Sequence, residues 1–228
     1  MIERVKVAII DNSIYPEIYK PVDHWKKYLS VPFEAFRAPE GQLPEVNDGF
    51  THIILTGSEA SIVERESWVE QEVDFVRQAF NKGLALLGSC YGHQLLILAL
   101  LGEKHVRRSP QPEIGWIKIK AFERHQLFGG KKEFYAFSIH FDEVLNLKPP
   151  FKVLAGTEIC PVQAFEMKGE RVWGLQFHPE INEEEARSFL NELILNGWPH
   201  QDLFSRALKM EARDSGIIKP IISFFLTR

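Results

Sequence analysis

Residues 84–101 constrain the fold more than any other stretch of this chain. An aliphatic run, Leu84-Ala85-Leu86-Leu87, enters a turn bracketed by glycines, Gly88-Ser89-Cys90-Tyr91-Gly92, and a second apolar run, residues 95–101, leaves it. The first run reads as a buried strand. The second reads as a short helix with almost no polar face, ended by Gly102. Such a helix must be covered on every side, which places it against the centre of a sheet. Gly88 and Gly92 permit a sharp bend and close packing, so Cys90 stands at the start of the helix as a candidate nucleophile. A free thiol is mostly protonated at neutral pH, and both a helix amino terminus and a nearby imidazolium favour its anion. The segment Gly174-Leu175-Gln176-Phe177-His178-Pro179-Glu180 offers that imidazole.

The surrounding pattern is that of an α/β protein. Strands are expected at residues 5–10, 33–36, 51–55 and 84–88, alternating with helices at 17–29 and from Ser67 to Gly83. This is the order of a mostly parallel central sheet with helices on both faces. Ser67 with Glu70 three residues on reads as a capping box, and Val69, Val73, Val76 and Phe80 recur at helical spacing. From Ile114 onward the segments shorten and alternate. Strands at 114–122, 133–139, 152–154, 162–167 and 171–177 form a smaller antiparallel portion, the last two joined by Lys168-Gly169-Glu170. Asn182 with Glu185 caps a helix carrying Phe189, Leu190, Leu193 and Ile194. Beyond Pro199 lie a further amphipathic helix, 203–212, and an apolar tail, 217–226, which must bury in this chain or in a partner.

Composition narrows the class. The chain has 228 residues, 45% hydrophobic and 25% charged, enough for a full core. A net charge of -4 with both signs interleaved argues against nucleic acid as a partner. Cys90 and Cys160 form neither a CxxC pair nor a metal-finger spacing, so a reducing, cytoplasmic setting is expected. No apolar run approaches a membrane span, and the first residues carry charges where a signal peptide needs an apolar stretch.

Ligand sites in open parallel sheets lie at the carboxyl ends of the strands, where Gly57 and Cys90 both fall. Glu180, two residues after His178, points to the same side of an extended chain and can orient the imidazole. The implied roles are Cys90 as attacking thiolate, His178 as proton carrier and Glu180 as its orienting carboxylate. The Tyr91 N–H and the Gly57-Ser58 turn would serve as oxyanion donors. His93 packs or hydrogen-bonds on the buried helix rather than serving as a rival base. The His-x-Glu spacing lacks the paired cysteines of zinc deaminases, so neither metal nor other cofactor is expected.

With these residues in view, the chain resembles the class I, triad-type glutamine amidotransferases, most closely the free-standing group like the amidotransferase domain of GMP synthase. Five segments carry the resemblance in order: Ile53 to Gly57, Gly88 to Gln94, Glu113 to Trp116, Ser138 to Val144, and Gly174 to Glu180. It implies the family's flavodoxin-like fold for a domain spanning residues 1–198, and the residues beyond, 199–228, read as a C-terminal helical extension packed on that domain or on a partner. It also implies that Gln94 holds the substrate and that Ser138, His140 and Asp142 recognise its amino-acid end. The implied reaction is hydrolysis of the glutamine side-chain amide through a γ-glutamyl thioester on Cys90. Ammonia would pass to an acceptor that the sequence does not identify, absent or separate from this chain, with a separate synthase subunit as one candidate partner; self-association of the chain is a further expectation. One departure stands out. Relatives commonly carry Gly-Gly-Pro after the second buried strand, whereas this chain has Gly57-Ser58-Glu59. Two other readings stay open at this point: a hydrolase of γ-glutamyl conjugates or peptides, and a binding or regulatory subunit that has lost turnover.

Overall fold

The computed structural model describes residues 5–228. Its centre is one nine-stranded sheet. In chain order the strands are β1 (Val7–Asp11), β2 (Phe33–Arg37), β3 (His52–Leu55), β4 (Ala85–Ser89), β5 (Val106–Ala121), β6 (Glu133–Val144), β7 (Phe151–Gly156), β8 (Ala164–Met167) and β9 (Val172–Leu175). Their spatial order is β2-β1-β3-β4-β9-β8-β7-β5-β6. The five strands from β2 to β9 run parallel, and the remainder of the sheet is antiparallel. The helices are α1 (Pro21–Lys26), α2 (Val69–Asn81), α3 (Tyr91–Leu101), α4 (Glu183–Leu195), α5 (Gln201–Leu208) and α6 (Ile218–Phe225). Among the described residues, no helix is long and apolar enough to cross a membrane.

The inner parallel strands β1, β3, β4 and β9 are buried on both faces, whereas the edge strand β2, with Glu34 and Arg37, is largely exposed. Ala8, Ile10, Ile53, Leu55 and Leu86 pack toward α2 and α3. The alternate residues Val7, Ile9, Ile54, Ala85 and Leu87 pack on the opposite face with Trp25 of α1 and Ile218, Ile221, Ile222 and Phe225 of α6. The apolar tail is thus built into the core of this chain. A buried polar bond supports it, since His52 Nε2 lies 3.1 Å from the Phe225 carbonyl. A third apolar cluster forms where Tyr19, Phe137, Phe189, Leu193 and Phe204 meet over β5 and β6.

Local chemistry explains where the elements start. The helix expected over 17–29 is confined to Pro21–Lys26, with Pro at its first helical position. The capping box at Asn182 forms, with the Glu185 N–H donating to Asn182 Oδ1 at 3.0 Å and the Asn182 N–H donating to Glu185 Oε2 at 3.0 Å. The one expected at Ser67 does not. Trp68 is the cap residue of α2 and no side chain caps it; the Glu70 carboxylate accepts from Arg65 instead, at 2.8 Å.

Candidate active site

The turn between β4 and α3 is held by backbone packing. A Cβ on Gly88 would lie 2.3 Å from the Gly92 carbonyl oxygen, and one on Gly92 would lie 2.2 Å from the Leu55 carbonyl oxygen. Neither position admits a side chain. The resulting bend leaves Cys90 at φ 50 and ψ -105, a sparsely populated region that costs a non-glycine residue about 1–3 kcal/mol. Two bonds hold it there: the Cys90 N–H donates to Leu175 O at 2.7 Å and the Gly92 N–H donates to Thr56 O at 3.0 Å. Cys90 is 5% exposed and lines a partly open cavity.

His178 and Glu180 reach the same cavity from the chain just past β9. The His178 N–H donates to Phe137 O at 2.8 Å, which pins the segment to β6. Nδ1 of His178 lies 2.8 Å from Glu180 Oε1, directing the other ring nitrogen, Nε2, away from the carboxylate. Glu180 is fully buried yet well supported. Oε1 also accepts from the Tyr19 hydroxyl at 3.1 Å, and Oε2 accepts from Ser89 Oγ at 3.3 Å. Burial opposes charge on both residues, but each offsets it for the other. The imidazolium holds the Glu180 carboxyl below its usual range. Against the cost of burial, the nearby Cys90 and Glu180 charges raise His178 to about 10. The Cys90 sulfur lies 3.5 Å from Ile139 O.

The remaining residues singled out in the sequence divide into those at the cavity and those behind it. Ser58, Tyr91, Gln94 and Asp142 line it. Gly57 lies against the imidazole, where a Cβ would come within 2.6 Å of His178 Cε1. Gln94 commits its amide nitrogen to Asp142 O at 2.9 Å and Gln176 Oε1 at 3.2 Å, which leaves its amide oxygen for the cavity. Asp142 accepts from Ser61 Oγ at 2.6 Å and lies 3.1 Å from Arg108 Nη1. Ser138 is fully buried in β6, its hydroxyl without a partner among the described residues and away from the cavity lining. His140 lines the cavity, while its ring is held from behind, with Nδ1 3.0 Å from Asp142 O and Nε2 3.2 Å from Glu113 Oε2. His93 is buried against Phe165, and burial lowers it to about 3, so the ring is neutral.

Glu113, His140 and Cys160 bring three possible ligand atoms within 4.8 Å of one another. The Glu113 carboxylate is already engaged by Thr157 Oγ1 at 2.7 Å, Gln163 Nε2 at 2.6 Å and His140, and burial pushes the Cys160 thiol up. The group is a satisfied hydrogen-bond network under β6.

Serine in place of the commoner second glycine is accommodated without a left-handed backbone: Ser58 is not among the described residues with positive φ. Its hydroxyl accepts from the Ala60 N–H at 2.9 Å. Glu59 turns back into the protein, accepting from the Ile14 N–H at 3.0 Å and Ser13 Oγ at 3.2 Å. Burial raises its carboxyl to about 7, against the pull of those bonds.

A cysteine turn, an imidazole and a buried carboxylate thus meet at one cavity beside the parallel strands. The model of the family described as glutamine amidotransferase class-I matches residues 19–196. The chain belongs to this family. It is 34% identical over 163 residues to a Methanococcus maripaludis protein named as one subunit of a glutamine-hydrolyzing GMP synthase, covering 70% of this chain and 80% of that one. A protein of the same name from Methanocaldococcus jannaschii is 36% identical over 129 residues, covering 56% of this chain and 66% of the relative. Another M. maripaludis relative of that name is matched over 56% of its length, so some alignments span less than two thirds of the relative. In three dimensions, a glutamine amidotransferase of Thermotoga maritima superimposes with a TM-score of 0.75 at 19% identity, covering 99% of both chains. That likeness is one of fold.

Several contributors to this amidotransferase-family site carry no sequence signal of their own. Tyr19 sits in the loop before α1, and its hydroxyl reaches both Glu180 Oε1 and, at 3.3 Å, His178 Nδ1. Ser61 and Arg108 reach Asp142 from separate segments. Trp198 and Phe204 line the cavity from beyond the last residue matched by the family model.

Proposed function

We propose that the chain hydrolyses the side-chain amide of glutamine by acyl transfer through Cys90. The observation that carries this reading is the placement of His178 between the Glu180 carboxylate and a cavity lined by Cys90. With its ring raised to about 10, His178 is cationic at neutral pH, where it favours the sulfur anion and holds a proton for the departing nitrogen.

The Cys90 sulfur attacks the substrate's amide carbon. The C–N bond breaks as His178 protonates the nitrogen, and ammonia leaves. Water, deprotonated by the now neutral imidazole, attacks the thioester, releasing glutamate and restoring the thiol. The Tyr91 N–H, first of its helix, and the N–H groups of the Gly57-Ser58 turn are the candidate oxyanion donors, each worth about 3 kcal/mol in such sites. Gln94 and Asp142 are placed to meet the polar amino-acid end of the substrate.

By likeness to the relatives named as GMP synthase subunits, the ammonia acceptor is held by a separate synthase chain. The test measures glutamate and ammonia release from glutamine by the purified chain, alone and with a GMP synthase partner, beside Cys90→Ala. Turnover that depends on Cys90 and rises with the partner is expected. A 6-diazo-5-oxo-norleucine adduct anywhere other than Cys90, or turnover that survives Cys90→Ala, would overturn the assignment.

A further inference from the structure

We propose that the cavity contains an apolar subsite for the leaving group, so that γ-glutamyl amides of amines bearing an aliphatic or aromatic substituent are substrates of the same centre. The inference rests on the reading that Cys90 takes up the γ-glutamyl group.

The cavity has two chemically different ends. One carries Ser61, Gln94, Arg108 and Asp142, groups suited to an ammonium and a carboxylate. The other is walled by Tyr19, Phe189, Leu193, Trp198 and Phe204. Its position relative to the reacting atoms is set by Tyr19. That ring stacks on Phe189 at 5.0 Å and meets the His178 ring edge to face at 5.8 Å, so the apolar wall adjoins the imidazole. Because His178 gives its proton to the departing nitrogen, whatever that nitrogen carries is directed toward the imidazole side of the scissile bond.

Ammonia carries nothing there. Glutamine's leaving group therefore leaves the cavity-facing edges of these otherwise packed side chains without a contact. A wall of aromatic and aliphatic side chains with a few polar groups at one end is the usual lining of a site that encloses an organic ligand. The wall is assembled partly outside the segment common to the family. Trp198 and Phe204 follow residue 196, Trp198 is braced edge to face by Tyr15 at 5.3 Å, and Phe204 is held by the third apolar cluster.

The chemistry balances as for glutamine. The sulfur–carbon bond forms, the carbon–nitrogen bond breaks, His178 supplies the proton, and a free primary amine leaves. Water then cleaves the thioester to glutamate and thiol.

The experiment compares kcat/KM for glutamine, γ-glutamylmethylamide, γ-glutamylbutylamide and γ-glutamylbenzylamide, with wild type, Trp198→Ala and Trp198→Leu. A rise of about tenfold or more from methylamide to benzylamide is expected, with Trp198→Ala cutting that ratio about fivefold and Trp198→Leu restoring part of it. A flat or falling series, or glutamine turnover with inert conjugates, overturns the subsite and leaves acyl transfer standing. If neither glutamine nor any conjugate is cleaved and Cys90 is not labelled by 6-diazo-5-oxo-norleucine, both readings fall. The wild-type series decides the question even where a variant does not fold.

Discussion

Two turns line the cavity, and they are held by opposite means. The elbow at Cys90 is fixed by main-chain sterics, with two glycines whose missing side chains let β3, β4 and α3 approach. The turn at Ser58 is fixed by polar side chains, its own hydroxyl on Ala60 N and the Glu59 carboxylate on Ser13 and Ile14. The first is therefore indifferent to pH and intolerant of any added atom. The second accommodates a serine, and one of its anchors can change charge within the physiological range.

The largest effect expected of this contrast is at Gly92. Gly92→Ala forces a Cβ to within 2.2 Å of a backbone oxygen that cannot rotate away, and should destabilise the protein by about 3 kcal/mol in urea titration. A loss under about 1 kcal/mol would mean that the elbow relaxes and is not sterically fixed.

Gly57→Ala probes the one place where the second turn behaves like the first. Its Cβ would press on His178 Cε1 at 2.6 Å and the Tyr19 hydroxyl at 3.0 Å, so glutaminase kcat should fall about 100-fold through a displaced imidazole. Unchanged kcat would separate the turn from the imidazole.

Glu59→Gln tests the titrating anchor. Because the folded protein holds this proton more tightly than the unfolded chain, Glu59 contributes stability below the ordinary pKa of 4.5, and that contribution is lost as pH rises toward about 7. The variant should lack this part of the slope in thermal melts taken between about pH 4 and 8. The neighbouring charges Asp11 and Arg37, paired at 2.9 Å, remain in both proteins and give the shared background. Identical slopes would show that the carboxylate is not the titrating anchor.

Ser58→Ala, which removes one partly buried bond to Ala60 N, should cost about 1 kcal/mol or less in the same denaturation assay. A larger loss would make the hydroxyl the main support of the turn.

The same contrast explains what could be read from the residues alone. Cys90, His178 and Glu180 stand out because acyl transfer admits few residue types and because close packing leaves glycines behind. The inner parallel strands are legible for a similar reason: strands covered on both faces are mostly apolar. The spatial order of the antiparallel strands leaves no such trace. Contacts between distant segments are equally silent. Tyr19 meets Glu180 across 161 positions and Ser61 meets Asp142 across 81, and neither pairing restricts its neighbours in sequence. Ser138 shows the limit from the other side, since a β6 residue close in sequence to the cavity lining can bury its hydroxyl away from it. Ser67 shows it for capping, where Asn182 and Glu185 close a box that Ser67 and Glu70 leave open.

The Thr56 carbonyl accepts from both Gly92 N–H at 3.0 Å and Asn12 Nδ2 at 3.2 Å. One oxygen thereby serves as a common datum for the loop after β1, the turn after β3 and the first residues of α3. Any displacement of one drags the others with it. The spacing of the Cys90 turn from the Gly57-Ser58 turn is consequently set by the scaffold's main chain, while the aromatic side chains across the cleft are anchored separately.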